Sequence, residues 1–143
     1  MRCARCGAHL PSAETCPDRF HAMLEADYRG VSRAFEVHGR VVFTYQAQHP
    51  SRAKPWMRAA HRAGTNEIFG RGRDWRAVLA DNRRSGGVDR SKSINGAGEM
   101  PVVGQPVAGE QTIAEIDPAI PAGHVARVEA WARSVAEHRF LGD

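Results

Sequence analysis

Three cysteines, Cys3, Cys6 and Cys16, are all the thiols in the chain, and they fall within its first sixteen residues. The segment Cys3-Ala4-Arg5-Cys6-Gly7 has the two-residue spacer that lets a pair of sulfurs face one metal ion from a tight turn. Gly7 suits the unusual backbone angle such a turn demands. An odd number of cysteines with a Cys-x-x-Cys pair points to metal ligation rather than a disulfide framework. A thioredoxin-like redox pair fits less well, because no strand precedes Cys3 and no helix directly follows Cys6. The chemistry indicated is a Zn2+ site with three thiolates, which needs one more ligand, a histidine or a carboxylate.

The remaining candidates must be positioned by helices. Pro17 and Asp18 suit the first turn of a helix, and Phe20, Leu24, Tyr28 and Val31 recur along one face at steps of four, four and three. Gly30 ends or interrupts it. Val31, Phe35, His38, Val42, Tyr45 and His49 form a second stripe of helical period, which Pro50 stops. His38 and His49 are eleven residues apart, so on one helix they stand about 16 Å from each other and do not share an ion. Further helices are expected from Pro55 to Gly64, around Trp75, Val78 and Leu79, and from His124 to Phe140 with Val125, Val128, Trp131, Ala132 and Val135 inward. Thr112-Ile113-Ala114-Glu115 reads as a capping box at a brief helix start. Between Ser85 and Gln111 lie six glycines and two prolines with few large apolar residues, the composition of a long loop, lid or linker. A short strand over Met100 to Val103 is the one β element expected.

If the first two helices form an antiparallel hairpin around Gly30, His49 returns to Cys16 and completes a Cys3His site. The rival is His21, local in sequence to Cys16, with His9 and His38 behind it. Four protein ligands leave no open position, which argues for a structural ion. The same hairpin puts His38 near Glu25, where a carboxylate can hold the imidazole proton. His38, Tyr45 and Glu25 are therefore the candidate catalytic residues of a small-molecule pocket beneath the 85–111 loop. A variant places a second, catalytic metal at His38, His61 and His124. The plainer alternative is a buried histidine and a core tyrosine with satisfied polar atoms.

With 143 residues, 42% hydrophobic and 25% charged, the chain has the size and balance of one globular domain. The expected organisation is all-α: a zinc knuckle over 1–16, a helical core over 17–84, a flexible loop over 85–111 and a C-terminal helical segment over 112–143. No apolar run approaches the roughly 18 residues of a membrane span, and no signal pattern opens the chain, so a cytoplasmic protein is expected.

The net charge of +4 is uneven, because residues 52–92 carry eleven basic side chains against four acidic ones. Arg58, Arg62, Arg73 and Arg76, interleaved with Trp56, Phe69 and Trp75, could grip phosphates and stack on bases. Eighteen of the twenty basic residues are arginine, however, as a GC-rich genome alone produces. Nucleic acid thus ranks behind a small molecule as partner, and a protein-interaction module is the third reading. Signatures of known enzyme classes are missing: no Gly-x-Ser-x-Gly elbow, P-loop, dinucleotide fingerprint or His-Glu-x-x-His helix occurs.

Taken together, Cys3-x-x-Cys6-Gly7, Cys16, His38, Val42, Tyr45, Gln48-His49-Pro50 and Trp131-Ala132-Arg133-Ser134-Val135 resemble an uncharacterised family of small bacterial proteins. Its members pair a cysteine-rich start with a helix reading His, Val, Tyr and Gln-His-Pro, and close with a Trp-Ala-x-Ser-Val helix. This chain departs at Phe43, where many members carry an acidic residue, and in its glycine-rich insert. The resemblance marks His38, Tyr45 and His49 as special positions and implies no reaction.

Overall fold

Thr15 opens the first helix, α1 (Cys16–Tyr28), through a capping box in which its hydroxyl accepts from the Asp18 amide while Asp18 accepts from the Thr15 amide. Pro17 sits in the first turn, where its missing N–H costs nothing. In the computed structural model, residues 2–29, 37–50, 62–74, 77–78, 80–81, 105–139 and 141 are described. Among them the protein is helical, with an isolated antiparallel bridge between Arg2 and His9 and no longer strand. The second helix, α2, spans His38–Gln48. Residues 62–65 are helical and run into a π-helical turn, Asn66–Gly70, so this segment continues past Gly64. A 3-10 turn, Ile113–Glu115, precedes the longest helix, α3 (His124–Arg139). No helix among the described residues is long and apolar enough to cross a membrane.

The buried face of α1 is not the one expected. Cys16, Arg19, Met23, Ala26 and Asp27 are buried, while Tyr28 is 83% exposed. Arg19 and Asp27 account for the difference, since charged residues do not register as an inward stripe unless their partners are known. The Arg19 guanidinium is clamped by Glu14 at 2.6 and 2.9 Å and donates to the Ile116 carbonyl at 2.6 Å. On α2 the inward residues are Val41, Thr44, Tyr45 and Gln48, with Val37 at its start, so Val42 stands only half-buried. The α3 stripe is as expected at Val128, Trp131, Ala132 and Val135, joined by His124, Ser134 and Ala136.

The core joins these helices to the N-terminal turn. Met23, Val37, Val41, Tyr45, Ile113, Ile116, Val128, Trp131 and Val135 form one cluster with Cys6, Ala8, Leu10 and Cys16. Helices α2 and α3 run in the same sense: Arg40 pairs with Glu129 near their starts, and Arg139 reaches the Ala47 carbonyl near their ends. Thr112 caps the 3-10 turn by accepting from the Ala114 amide, a shorter reach than the capping box expected with Glu115. The third expected helix before residue 62, the strand over Met100 to Val103 and the loop over 85–104 lie outside the described residues.

A buried polar network centres on Gln48, which is fully buried. Its amide donates to Glu110 and to the Gln111 carbonyl, each at 2.7 Å, and its oxygen accepts from the Trp131 indole at 3.1 Å. Glu110 in turn takes both arms of Arg139 at 2.7 Å, and the Gln111 amide donates to Ser134 at 2.9 Å. The end of the glycine-rich stretch is thereby tied to α2 and α3. Truncating a hub of this kind leaves several buried groups unpaired, at about 1–3 kcal/mol each. Gln48→Ala is expected to lower unfolding stability by about 2 kcal/mol in chemical denaturation; an unchanged midpoint would show that the network contributes nothing.

Candidate metal centre

The N-terminal turn is built to present sulfur. The Gly7 amide donates to the Cys3 carbonyl at 2.9 Å, and the Cys3 amide to the Ala8 carbonyl at 2.8 Å. Gly7 has φ +82°, and a Cβ there would stand 3.2 Å from the Pro106 side chain. The turn aims two backbone amides at sulfur, Arg5 N–H to Cys3 Sγ and Ala8 N–H to Cys6 Sγ, each at 3.4 Å. Cys16 is delivered by the first residue of α1, and His49 follows the last residue of α2.

These four residues converge. The sulfurs of Cys3, Cys6 and Cys16 and a ring nitrogen of His49 all lie within 4.8 Å of one another, and the group could hold a metal ion. Cys6 Sγ is 3.6 Å from Cys16 Sγ, and Cys3 Sγ is 3.7 Å from His49 Nε2. The His49 ring is oriented by a 3.0 Å hydrogen bond from Nδ1 to the Tyr45 carbonyl. A carbonyl only accepts, so Nδ1 carries the proton and Nε2 faces the sulfurs, the arrangement found around metal-ligating histidines. Tyr45 stacks between Phe20, 4.0 Å away, and His49, 4.3 Å away. Its role is to wall the imidazole in place.

Electrostatically the group calls for positive charge at its centre. The hydrogen bond from Cys16 holds Cys6 down, to about 4, against its burial, while the same contact and burial push Cys16 far up. Burial acts to raise Cys3, but the Cys6 and Arg5 amides and His49 together hold it below the ordinary thiol value. Burial acts to lower His49, yet contact with Cys6 and Cys3 keeps it raised. A cation at the centre would serve all four donors at once.

A cleft of about 520 Å³ opens beside the group, lined among others by Cys3, Cys16, Tyr45 and His49, with Arg2 and Arg5 on its wall. His38 is not part of it. His21 is exposed and turned beside Phe20, and His9 is exposed, so neither joins the sulfurs. The carboxylate beside His38 is Asp27, with Oδ2 2.7 Å from Nδ1; the expected partner Glu25 is exposed and faces Arg29. Two positions are about 200° apart on a helix, so Glu25 and Asp27 lie on opposite faces of α1, and Asp27 is on the buried one that the expected stripe missed. Of the expected phosphate-binding arginines, Arg73 is paired with Glu67 and Asp81 and Arg62 is exposed, while Arg58 and Arg76, like His61, lie outside the described residues.

The fold and site define a class: a small helical protein whose N-terminal turn and helix ends assemble a three-cysteine, one-histidine group. The chain belongs to a family described as Family of unknown function (DUF5946), which residues 1–139 match. No curated protein and no solved structure matches it.

A side chain at Gly7 must adopt a left-handed backbone and displace Pro106, at a cost of about 1–2 kcal/mol. Gly7→Ala is expected to lower both the melting temperature and the affinity for a bound metal; a variant that matches the parent in both would remove the turn from the site's design.

Proposed function

We propose that Cys3, Cys6, Cys16 and His49 bind one Zn2+ ion and that the ion is structural. The observation that carries this reading is the pair of opposite edges at 3.6 and 3.7 Å. A tetrahedron with zinc–sulfur bonds of about 2.3 Å and a zinc–nitrogen bond of about 2.0 Å has sulfur–sulfur edges near 3.8 Å and sulfur–nitrogen edges near 3.5 Å. The donor set suits zinc, since thiolate and imidazole in tetrahedral array favour it over hard cations. Four protein ligands leave no position for substrate, and three thiolates weaken the ion as a Lewis acid.

Such a site fastens an irregular N-terminus to a helical hairpin. Zinc bound to a group of this type contributes on the order of 10 kcal/mol to folding, comparable with the net stability of a whole small domain. Of the wider roles expected from the sequence, a small-molecule ligand is better supported than nucleic acid. The cleft beside Tyr45 has a volume typical of small-molecule sites, whereas Arg73 is already neutralised by two carboxylates.

Protein purified without added metal is expected to contain one zinc per chain by elemental analysis. His49→Ala should lose most of it and melt at lower temperature, while His21→Ala keeps both. Retention of zinc by His49→Ala would overturn the ligand assignment. Because protons compete with the ion for the thiolates, zinc should be lost as pH falls and held as it rises. Release measured with a chromogenic chelator that did not depend on pH would be incompatible with thiolate ligation.

A further inference from the structure

The helical hairpin has a second cluster of donor side chains at its opposite end. Asp27 lies at the end of α1, His38 begins α2, and His124 begins α3. Their positions along the hairpin place them about eleven residues of helix from Cys16 and His49, roughly 16 Å away. None of the three has a role in the cysteine-rich group.

Two features of this cluster are costly without a further partner. The Asp27 side chain is 1% exposed, and while Oδ2 meets His38 Nδ1 at 2.7 Å, Oδ1 has no hydrogen-bond partner among the described residues. His124 is 3% exposed, and its Nε2 likewise has none. Native interiors rarely leave such atoms unpaired, and each instance asks for a ligand, a water or a catalytic role. The two residues are close enough to influence each other electrostatically, since Asp27 acts to raise His124 and His124 to lower Asp27. They make no direct hydrogen bond. The nearby Arg127 does not neutralise Asp27, because its guanidinium is turned to the Ile120 and Ala122 carbonyls at 2.6 and 2.7 Å.

We propose that Asp27, His38 and His124 form a second cation site, one that takes a divalent transition-metal ion. Two imidazoles and one carboxylate are the donor set of metal sites that keep open coordination positions. Asp27 Oδ1 and His124 Nε2 supply the two orphaned donors. The third is His38, whose half-exposed ring gives the ion its path from solvent. Among the described residues the donors of the cysteine-rich group already lie within 4.8 Å of one another, whereas this second set must draw together to hold an ion. Its affinity is accordingly weaker, and exchange with solvent metal faster. The inference stands on Asp27, His38 and His124 alone and does not depend on zinc at the cysteines.

The test is a titration of the purified full-length protein with Co2+, followed by absorption spectroscopy and calorimetry. The expected result is an equivalent of Co2+ whose visible bands lack the intense near-ultraviolet charge-transfer absorption of cobalt–thiolate bonds. Asp27→Asn and His124→Gln should each weaken that equivalent at least tenfold while leaving the metal content of the cysteine-rich group unchanged, which also serves as the check that both variants fold. His38→Asn, at a half-exposed position, should do the same with less risk to the fold. Binding of Co2+ only with thiolate bands, or a thiolate-free equivalent unaffected by all three substitutions, would overturn the proposal. Loss of metal from the cysteine-rich group in the parent protein would instead count against that group alone.

Discussion

Convergence of four donor atoms from distant parts of the chain is the constraint on which the rest of this structure depends. Cys3 and His49 are 46 positions apart, yet their donor atoms lie 3.7 Å from each other. That is achieved only if α2 returns its last turn to the first turn of α1, where Cys16 stands. The antiparallel setting of the two helices follows from this closure as much as from apolar packing. The next residue inward extends the consequence. Gln48 immediately precedes His49 and faces the core, where it holds Trp131 of α3 and the Glu110 carboxylate. One helix end therefore presents a metal donor on one side and the hub of the polar core on the other, so a disturbance of either is felt by both.

What the sequence disclosed and what it concealed divide along a physical line. The cysteine spacing, the glycine after the second thiol and the hairpin geometry favoured His49 over His21, and it is His49 that the structure brings to the three sulfurs. The α3 stripe was legible for the same reason, as Val128, Trp131, Ala132 and Val135 repeat at helical spacing and are apolar. On α1 the reading shifted to the wrong face. Arg19 and Asp27 are inward, and their burial depends on Glu14, Ile116 and His38, none of which a hydropathy period can reveal. Gln48 escaped notice for a related reason: its partners, Glu110 and Trp131, lie 62 and 83 positions away. The choice of Glu25 over Asp27 as the partner of His38 had the same origin, since the two lie on opposite faces of α1 and the inward face had been misassigned.

Buried polar groups are consequently the feature that gives this small core its specificity. Apolar contact among Met23, Val41, Ile113, Val128 and Trp131 holds the helices together but permits sliding. The clamp of Glu14 on Arg19, with the third contact to the Ile116 carbonyl, sets α1 against the turn before α3. The bidentate pair of Glu110 and Arg139 sets the end of the glycine-rich stretch against the end of α3. Arg19 and Glu110 are the buried charges of these two pairs, and a buried charge is tolerable only in a register where its partner is in place. Asp27 Oδ1 and His124 Nε2 depart from this scheme, each buried without a hydrogen-bond partner among the described residues.

Completeness of coordination and accessibility are separate properties, and the cysteine-rich group shows the difference. Cys6 and Cys16 are buried and His49 is 5% exposed, but Cys3 is only partly covered and, with Cys16 and His49, borders the cleft. Ala8, Leu10 and Tyr45 line the same cleft, and Phe20 stacks on Tyr45. A tetrahedral set of protein ligands would hold an ion firmly at equilibrium, and the ligand most easily displaced would be the least buried one, Cys3. Cys3 is held by the short turn through Gly7 rather than by a helix. Exchange of an ion through Cys3 would need only the turn to open, whereas release through Cys16 or His49 would require a helix end to move. The same group that would fasten the fold around an ion thus also borders the cleft.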